Sequence, residues 1–256
     1  MRCTACQLVF TNPRPAEAEI GPYYASEAYV SHTNTNKGLI NTIYQMVRSF
    51  TLGQKLRMID GLQPAGSKLL DVGCATGHFL QACQGGKWAG AGTEPDDGAR
   101  QQAIEKGLNV VESIFDLPDE KYNAITMWHV LEHIHRLPES LERIASLSQS
   151  GASLLIAVPN HRSADAQKYG ATWAAYDVPR HLYHFQPDSI KPLVEKYGFT
   201  LKGQKGMPMD AFYVSMLSER NNGGSLVSAF FAGLASNIKA MRSGQWSSII
   251  YIFEKQ

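Results

Sequence analysis

Five short apolar runs, at residues 68–72, 88–94, 109–112, 124–128 and 153–158, mark the middle of the chain. Between them lie stretches whose apolar residues recur at helical spacing, 77–84, 96–106 and 138–148. Short, nearly unbroken apolar strands alternating with helices describe βαβ units around a parallel sheet buried on both faces. A further helix is predicted over 188–197, a strand over 199–205 and a last strand over 248–253. Upstream, Leu39, Ile40, Ile43, Tyr44, Met46 and Val47, then Leu52, Leu56, Met58 and Ile59, predict one helix or two over 38–62, with a break near 50–53. Residues 1–36 carry Pro, Gly, Asn and Ser and predict an irregular cap with one or two short helical turns. The expected organisation is that cap followed by one domain over 37–256 with a helical insertion near 221–243.

That insertion is apolar over most of its circumference, with Leu226, Val227, Phe230, Phe231, Leu234, Ile238 and Met241. Packing on the domain is the default for such a helix. A homodimer seam and a roof over a hydrophobic pocket are the alternatives. Membrane-surface docking is weaker, because the basic flank is only Lys239 and Arg242.

The most informative stretch runs Leu69-Leu-Asp71-Val-Gly73-Cys74-Ala75-Thr-Gly77-His-Phe-Leu80. A strand passes through small residues directly into a helix. Glycine permits the sharp turn and close approach of a ligand to the backbone, and the helix start presents unpaired N–H groups. In open α/β sheets this crevice binds nucleotide-like ligands. A Walker loop would need Lys after Gly77, and a dinucleotide fingerprint would need glycines where Ala75 and His78 stand. A ligand without pyrophosphate fits better. Glu94, 21 residues after Gly73, ends the second predicted strand, where a carboxylate can accept both ribose hydroxyls.

With these residues the chain resembles the class I S-adenosylmethionine-dependent methyltransferases over about residues 65 to 205. Tyr122-Asn-Ala-Ile-Thr-Met-Trp128-His129-Val-Leu-Glu-His133 is similar to the family's fourth strand and following turn, and Gly151 to Asn160 to its fifth strand. The resemblance implies a Rossmann-like α/β fold: a seven-stranded, mostly parallel sheet with helices on both faces and the last strand antiparallel. It implies S-adenosyl-L-methionine as cofactor, held by Asp71, Gly73, Cys74, Ala75 and Gly77 at the methionine end and by Glu94 at the ribose. Ile114 and Phe115 fall where the family packs adenine, and Trp128 and His129 beside the sulfonium. Ordinary core is the other reading of Ile114 and Phe115, and a satisfied, half-buried histidine the other reading of His129.

Residues 173–185 crowd Trp173, Tyr176, Asp177, Arg180, His181 and His184 into one loop, which resembles the Arg-His-Leu segment after the family's fifth strand. Here the expected roles are His181 as general base or acceptor-orienting group with Asp177 setting its tautomer, and Trp173, Tyr176, Arg180 and His184 on the substrate side. A polar network pinning a long loop explains the same residues as well. The amino-terminal segment and this loop are expected to cover the pocket.

Composition narrows the acceptor. Twenty-four basic and 23 acidic residues give a net charge of +1, which argues against nucleic acid as partner. The Asp/Asn-Pro-Pro-Tyr and Pro-Cys signatures of base methylation are absent from 128–131, which read Trp-His-Val-Leu. The expectation is therefore methyl transfer to a small molecule, with oxygen the favoured atom. A non-catalytic cofactor-binding or scaffold protein and a dinucleotide-dependent oxidoreductase are the alternatives. At 44% hydrophobic and 18% charged the chain can bury a sizeable core. The start lacks a secretory apolar run and no stretch reaches about 18 apolar residues, so a cytoplasmic location without stable membrane insertion is expected. Cys3 and Cys6 form one C-x-x-C similar to the tail of a zinc-ribbon leader, with His32 the nearest further ligand. Two thiolates leave a four-coordinate site incomplete, so no structural metal is expected.

Overall fold

The computed structural model of the chain describes residues 1–24 and 51–256. Most of the helix expected over 38–62, together with His32, lies outside the described residues; 51–60 are helical. Seven strands form the main sheet: β2 (Lys68–Val72), β3 (Ala89–Thr93), β4 (Asn109–Val111), β5 (Tyr122–Trp128), β6 (Ser148–Pro159), β8 (Phe199–Gly206) and β9 (Ser248–Lys255). Their order is β4-β3-β2-β5-β6-β9-β8. The first five strands run parallel, and β9 lies antiparallel between β6 and β8. The sequence pattern places every one of these strands, with β6 beginning five residues before the apolar run from Ser153. At that extension Tyr122 pairs with Ser148, and the register then shifts so that Ala124 pairs with Ser153.

Helices α1 (His78–Gln84), α2 (Asp97–Glu105), α3 (Leu137–Leu147) and α5 (Pro187–Glu195) fill the expected connections, and α4 (Ala164–Tyr169) follows β6. Asp96 caps α2 by accepting the Ala99 N–H at 2.8 Å, and Ser163 caps α4 by accepting the Ala166 N–H at 3.2 Å. β3 is built of small residues because α1 lies on it: a Cβ at Gly90 would sit 2.6 Å from Leu80. The core is the buried aliphatic interior of β2, β5, β6 and β9, closed on one side by α3 and α5.

Between β8 and β9 stand two helices where the pattern predicts one. α6 (Pro208–Asn221) precedes α7 (Leu226–Ser243), and residues 222–225 join them. α6 was not legible because its apolar residues do not gather on one face; Val214, Ser215, Ser218 and Glu219 are buried together. A buried carboxylate, Asp165 of α4, ties α7 and the residue before β9 to α4. It accepts from Trp173 Nε1 (2.8 Å), Ser236 Oγ (2.6 Å) and Ser247 Oγ (2.7 Å).

Residues 1–24 of the amino-terminal cap also hold more structure than their composition predicts. Val9–Phe10 forms β1, paired antiparallel with β7 (Tyr183–His184) in a separate small sheet, and two 3₁₀ turns follow. The arm is held beyond the strand pair. Thr11 N donates to Leu182 O at 3.0 Å, and its hydroxyl donates to His181 O at 2.7 Å. That hydroxyl has no second proton, so its 3.1 Å contact with His184 Nε2 makes the imidazole the donor. Thr11→Val removes both bonds from a buried position and should cost about 1–3 kcal/mol. Urea unfolding measures the loss, and hydrogen exchange at Phe10 and Thr11 should accelerate before the main sheet opens.

Candidate active site

The carboxyl ends of β2, β3 and β5 lie side by side, so the segments that follow them meet at one edge of the sheet. After β2 the backbone turns through positive φ at Gly73 (69°), Ala75 (49°) and Gly77 (77°), and Gly77 begins α1. A Cβ at Gly77 would lie 2.3 Å from Leu108, and one at Gly73 would lie 2.5 Å from Val130. These glycines let the loop seat against its neighbours; Ala75 bears the same backbone conformation with a small side chain.

Glu94 follows β3 and is buried, with each carboxylate oxygen held by a backbone amide. Oε2 accepts from Ala75 N at 2.9 Å and Oε1 from Asp96 N at 3.0 Å. Burial raises its pKa, opposed by these two bonds. Each oxygen keeps a lone pair for a ribose hydroxyl. Asp71 is buried deeper, accepts the Thr126 hydroxyl at 2.7 Å, and is pushed up to about 7 by burial, against the Thr126 bond and the charge of Lys55. Lys55 reaches from the helical stretch 51–60 to within 4.2 Å of the Trp128 ring centroid. Trp128 meets Phe79 edge-on at 5.4 Å, and its indole N–H is buried without a hydrogen-bond partner among the described residues. Of the adenine candidates, Ile114 lies in the main core and Phe115 is the one with an exposed face, its ring covered on one side by the Arg136 guanidinium at 4.7 Å.

His129 takes a left-handed conformation (φ 57°) at the end of β5. Its Nε2 lies 3.2 Å from Asp210 of α6 and its Nδ1 3.5 Å from Glu132. Burial favours the neutral ring, but these two carboxylates outweigh it and raise the pKa to about 9. At neutral pH His129 is a cation. Sequence reasoning missed both partners: Asp210 is 81 positions away on an unexpected helix, and Glu132 gave no signal beyond its place beside His133.

His133 and His181 stand edge-on with centroids 4.5 Å apart. His181 Nδ1 faces the Ala175 carbonyl at 2.9 Å, and His133 Nδ1 faces the Arg180 carbonyl at 3.2 Å and the Tyr24 hydroxyl at 2.9 Å. A carbonyl only accepts, so the Ala175 contact places a proton on His181 Nδ1. Burial holds His133 down to about 4, and it is neutral. Glu132, His133 and His181 each bring a ligating atom within 4.8 Å of the others, a donor set able to hold one divalent cation. Cys3 and Cys6, free thiols in the amino-terminal turn, are not part of it.

The loop after β6 corrects several expected roles. The Ala175 carbonyl, not Asp177, fixes the His181 tautomer; Asp177 pairs with Arg180 and stays 3.8 Å from His181 Nε2. Trp173 is not on a substrate face, because its indole is buried and bonded to Asp165. His184 is likewise buried, held down to about 4 by burial, with Nε2 committed to Thr11. Tyr176 lies edge-on between Trp173 and His184, at 5.2 and 5.1 Å. The structure thus brings together Asp71, the glycine loop, Glu94, Trp128 and His129, and sets Trp173 and His184 into a packed layer behind His181.

The model of a methyltransferase domain family matches residues 48–202. A ubiquinone biosynthesis O-methyltransferase from Xanthomonas axonopodis pv. citri is 30% identical over 143 residues, 51% of this chain and 59% of that protein. The chain therefore matches less than two thirds of the length of the curated relative. A SAM-dependent methyltransferase from Archaeoglobus fulgidus superposes with a TM-score of 0.55 at 19% identity, covering 81% of this chain and 94% of that one. Phosphoethanolamine N-methyltransferase 2 from Haemonchus contortus, solved with S-adenosyl-L-methionine, gives 0.53 at 14% identity, covering 80% and 52%. The family match spans more than half the chain and agrees with the strand order and the glycine loop: the chain belongs to the class I S-adenosylmethionine-dependent methyltransferases.

Proposed function

We propose that this chain transfers the methyl group of S-adenosylmethionine to an oxygen of a small molecule. The observation that carries the reading is the buried Glu94 carboxylate, aimed by the amides of Ala75 and Asp96 beside a glycine loop that admits a ligand. Glu94 would hold the ribose, the Asp71-to-Gly77 loop the methionine end, and Phe115 the adenine; when bound, the cofactor supplies an activated methyl on a sulfonium. The residues bind, align and exclude water. His129, cationic between Asp210 and Glu132, favours an acceptor oxygen carrying negative charge. His181, with Nδ1 committed to Ala175 and Nε2 free to accept, is the base for an acceptor hydroxyl. The O-methyltransferase activity of the Xanthomonas relative supports oxygen as the acceptor atom. No helix among the described residues is long and apolar enough to cross a membrane. Four free thiols fit a reducing, cytoplasmic compartment.

Glu94→Ala should weaken S-adenosylmethionine and S-adenosylhomocysteine alike, each lost charged hydrogen bond being worth about 1.5–3 kcal/mol. Isothermal titration reads this directly; unchanged affinity for both removes Glu94 from the site. His181→Ala should lower turnover about 10²–10⁴-fold with cofactor affinity retained. Full turnover with a lower melting temperature would make this histidine a strut of the loop.

His129 gives a pH signature. Its folded pKa is raised from 6.5 to about 9, so the stability it contributes is complete below 6.5 and is lost as pH rises through about 9. Asp210→Asn should move the imidazole titration, followed by NMR, back towards 6.5 and flatten the fall in melting temperature across that window. An unshifted titration would mean that Asp210 does not hold the charge.

A further inference from the structure

α7 is built inside out. The face turned to its own domain carries Ala229, Ala232, Gly233, Ser236 and Ala240, all buried. These small residues bring the helix axis close to α6: a Cβ on Gly233 would lie 2.9 Å from the Phe212 Cα. The face turned away carries Leu226, Val227, Phe230, Phe231, Ile238 and Met241, which are 52–75% exposed. A helix that ends at solvent has the opposite pattern, polar outside and apolar within. Phe230 stacks on Phe212 of α6 at 5.5 Å, and Met209 and Met216 of α6 are exposed as well, so the apolar surface extends across the helix pair.

We propose that this face is a two-fold homodimer seam, in which the α6–α7 pair of one chain packs against the α6–α7 pair of a second to make four helices. Area favours a second copy. The exposed apolar side chains amount to the order of 800 Å², against roughly 300–600 Å² for the largest patch on a typical monomer and roughly 800 Å² per partner in a standard interface. Composition favours it too. From Leu226 to Ile238 the helix has no charged residue, and Phe and Met are the types enriched in interface cores. Lys239 and Arg242 are too small a basic flank for an anionic bilayer. Two helix pairs that each expose an apolar face find in a bundle the packing that buries both. The seam is independent of the chemistry assigned to the site.

Light scattering on the full chain at tens of micromolar should give about twice the 28.2 kDa of one copy. Phe231→Glu and Ile238→Glu, both at exposed positions, should each raise the dimer dissociation constant about thirtyfold or more while circular dichroism and melting of the monomer stay unchanged. Replacing Lys239 and Arg242 by Gln should leave the dimer intact. A wild-type chain that remains at the single-copy mass overturns the proposal. So does a dimer that survives Phe231→Glu and Ile238→Glu together, since the seam would then lie elsewhere. A single-copy chain that floats with phosphatidylglycerol vesicles would assign the face to lipid instead.

Discussion

A carboxylate sealed from water must be matched by a cation or by hydrogen bonds, and the site is arranged around that requirement at Glu132. Its side chain is fully buried, and neither oxygen has a hydrogen-bond partner among the described residues. An uncompensated charge there would cost several kcal/mol. His129 supplies the charge from 3.5 Å, and Asp210 keeps His129 protonated from its other side. The alternating line carboxylate–imidazolium–carboxylate joins the turn after β5 to the start of α6. The backbone of Glu132 joins it to a third segment, because its carbonyl accepts the Leu182 N–H at 2.7 Å. Thr11 then fastens the amino-terminal arm to the same loop.

Two layers of the active edge therefore have different physics. The layer proposed for the cofactor is set by backbone: positive-φ residues, the start of a helix and a carboxylate oriented by amides. Such a layer needs little from the side chains around it. The layer proposed for the acceptor is set by titratable side chains drawn from four separate segments, the arm, the turn after β5, the loop after β6 and α6. Its geometry depends on tertiary packing, and its charge state on burial. Two of its histidines differ accordingly: His129 is cationic, while burial keeps His133 neutral.

That division explains what the sequence could show. Strands and the glycine loop are local features, with an apolar run or a glycine at a turn reporting its own conformation, so the sheet and the Asp71-to-Gly77 and Glu94 pair were legible. Asp210 was not, because its role arises only when α6 is laid beside β5, and α6 itself lacks a clear apolar stripe. The crowded loop misled for a related reason. Trp173 and His184 have the chemistry of binding residues, but Asp165 and Thr11, distant in sequence, commit both to packing. Tyr176 packs between those two rings, and Arg180 pairs with Asp177. The β1 strand was hidden by its length, since two residues pair with β7 without any pattern of alternation.

Radiolabel transfer tests the central claim most directly. The full chain is incubated with S-adenosylmethionine tritiated on the methyl group and a panel of small phenols, hydroxy acids and carboxylic acids. The account predicts label in an ether or ester product, with one S-adenosylhomocysteine released per methyl transferred. Tight cofactor binding with label delivered to nitrogen or carbon, or to no member of a broad metabolite panel, would contradict it.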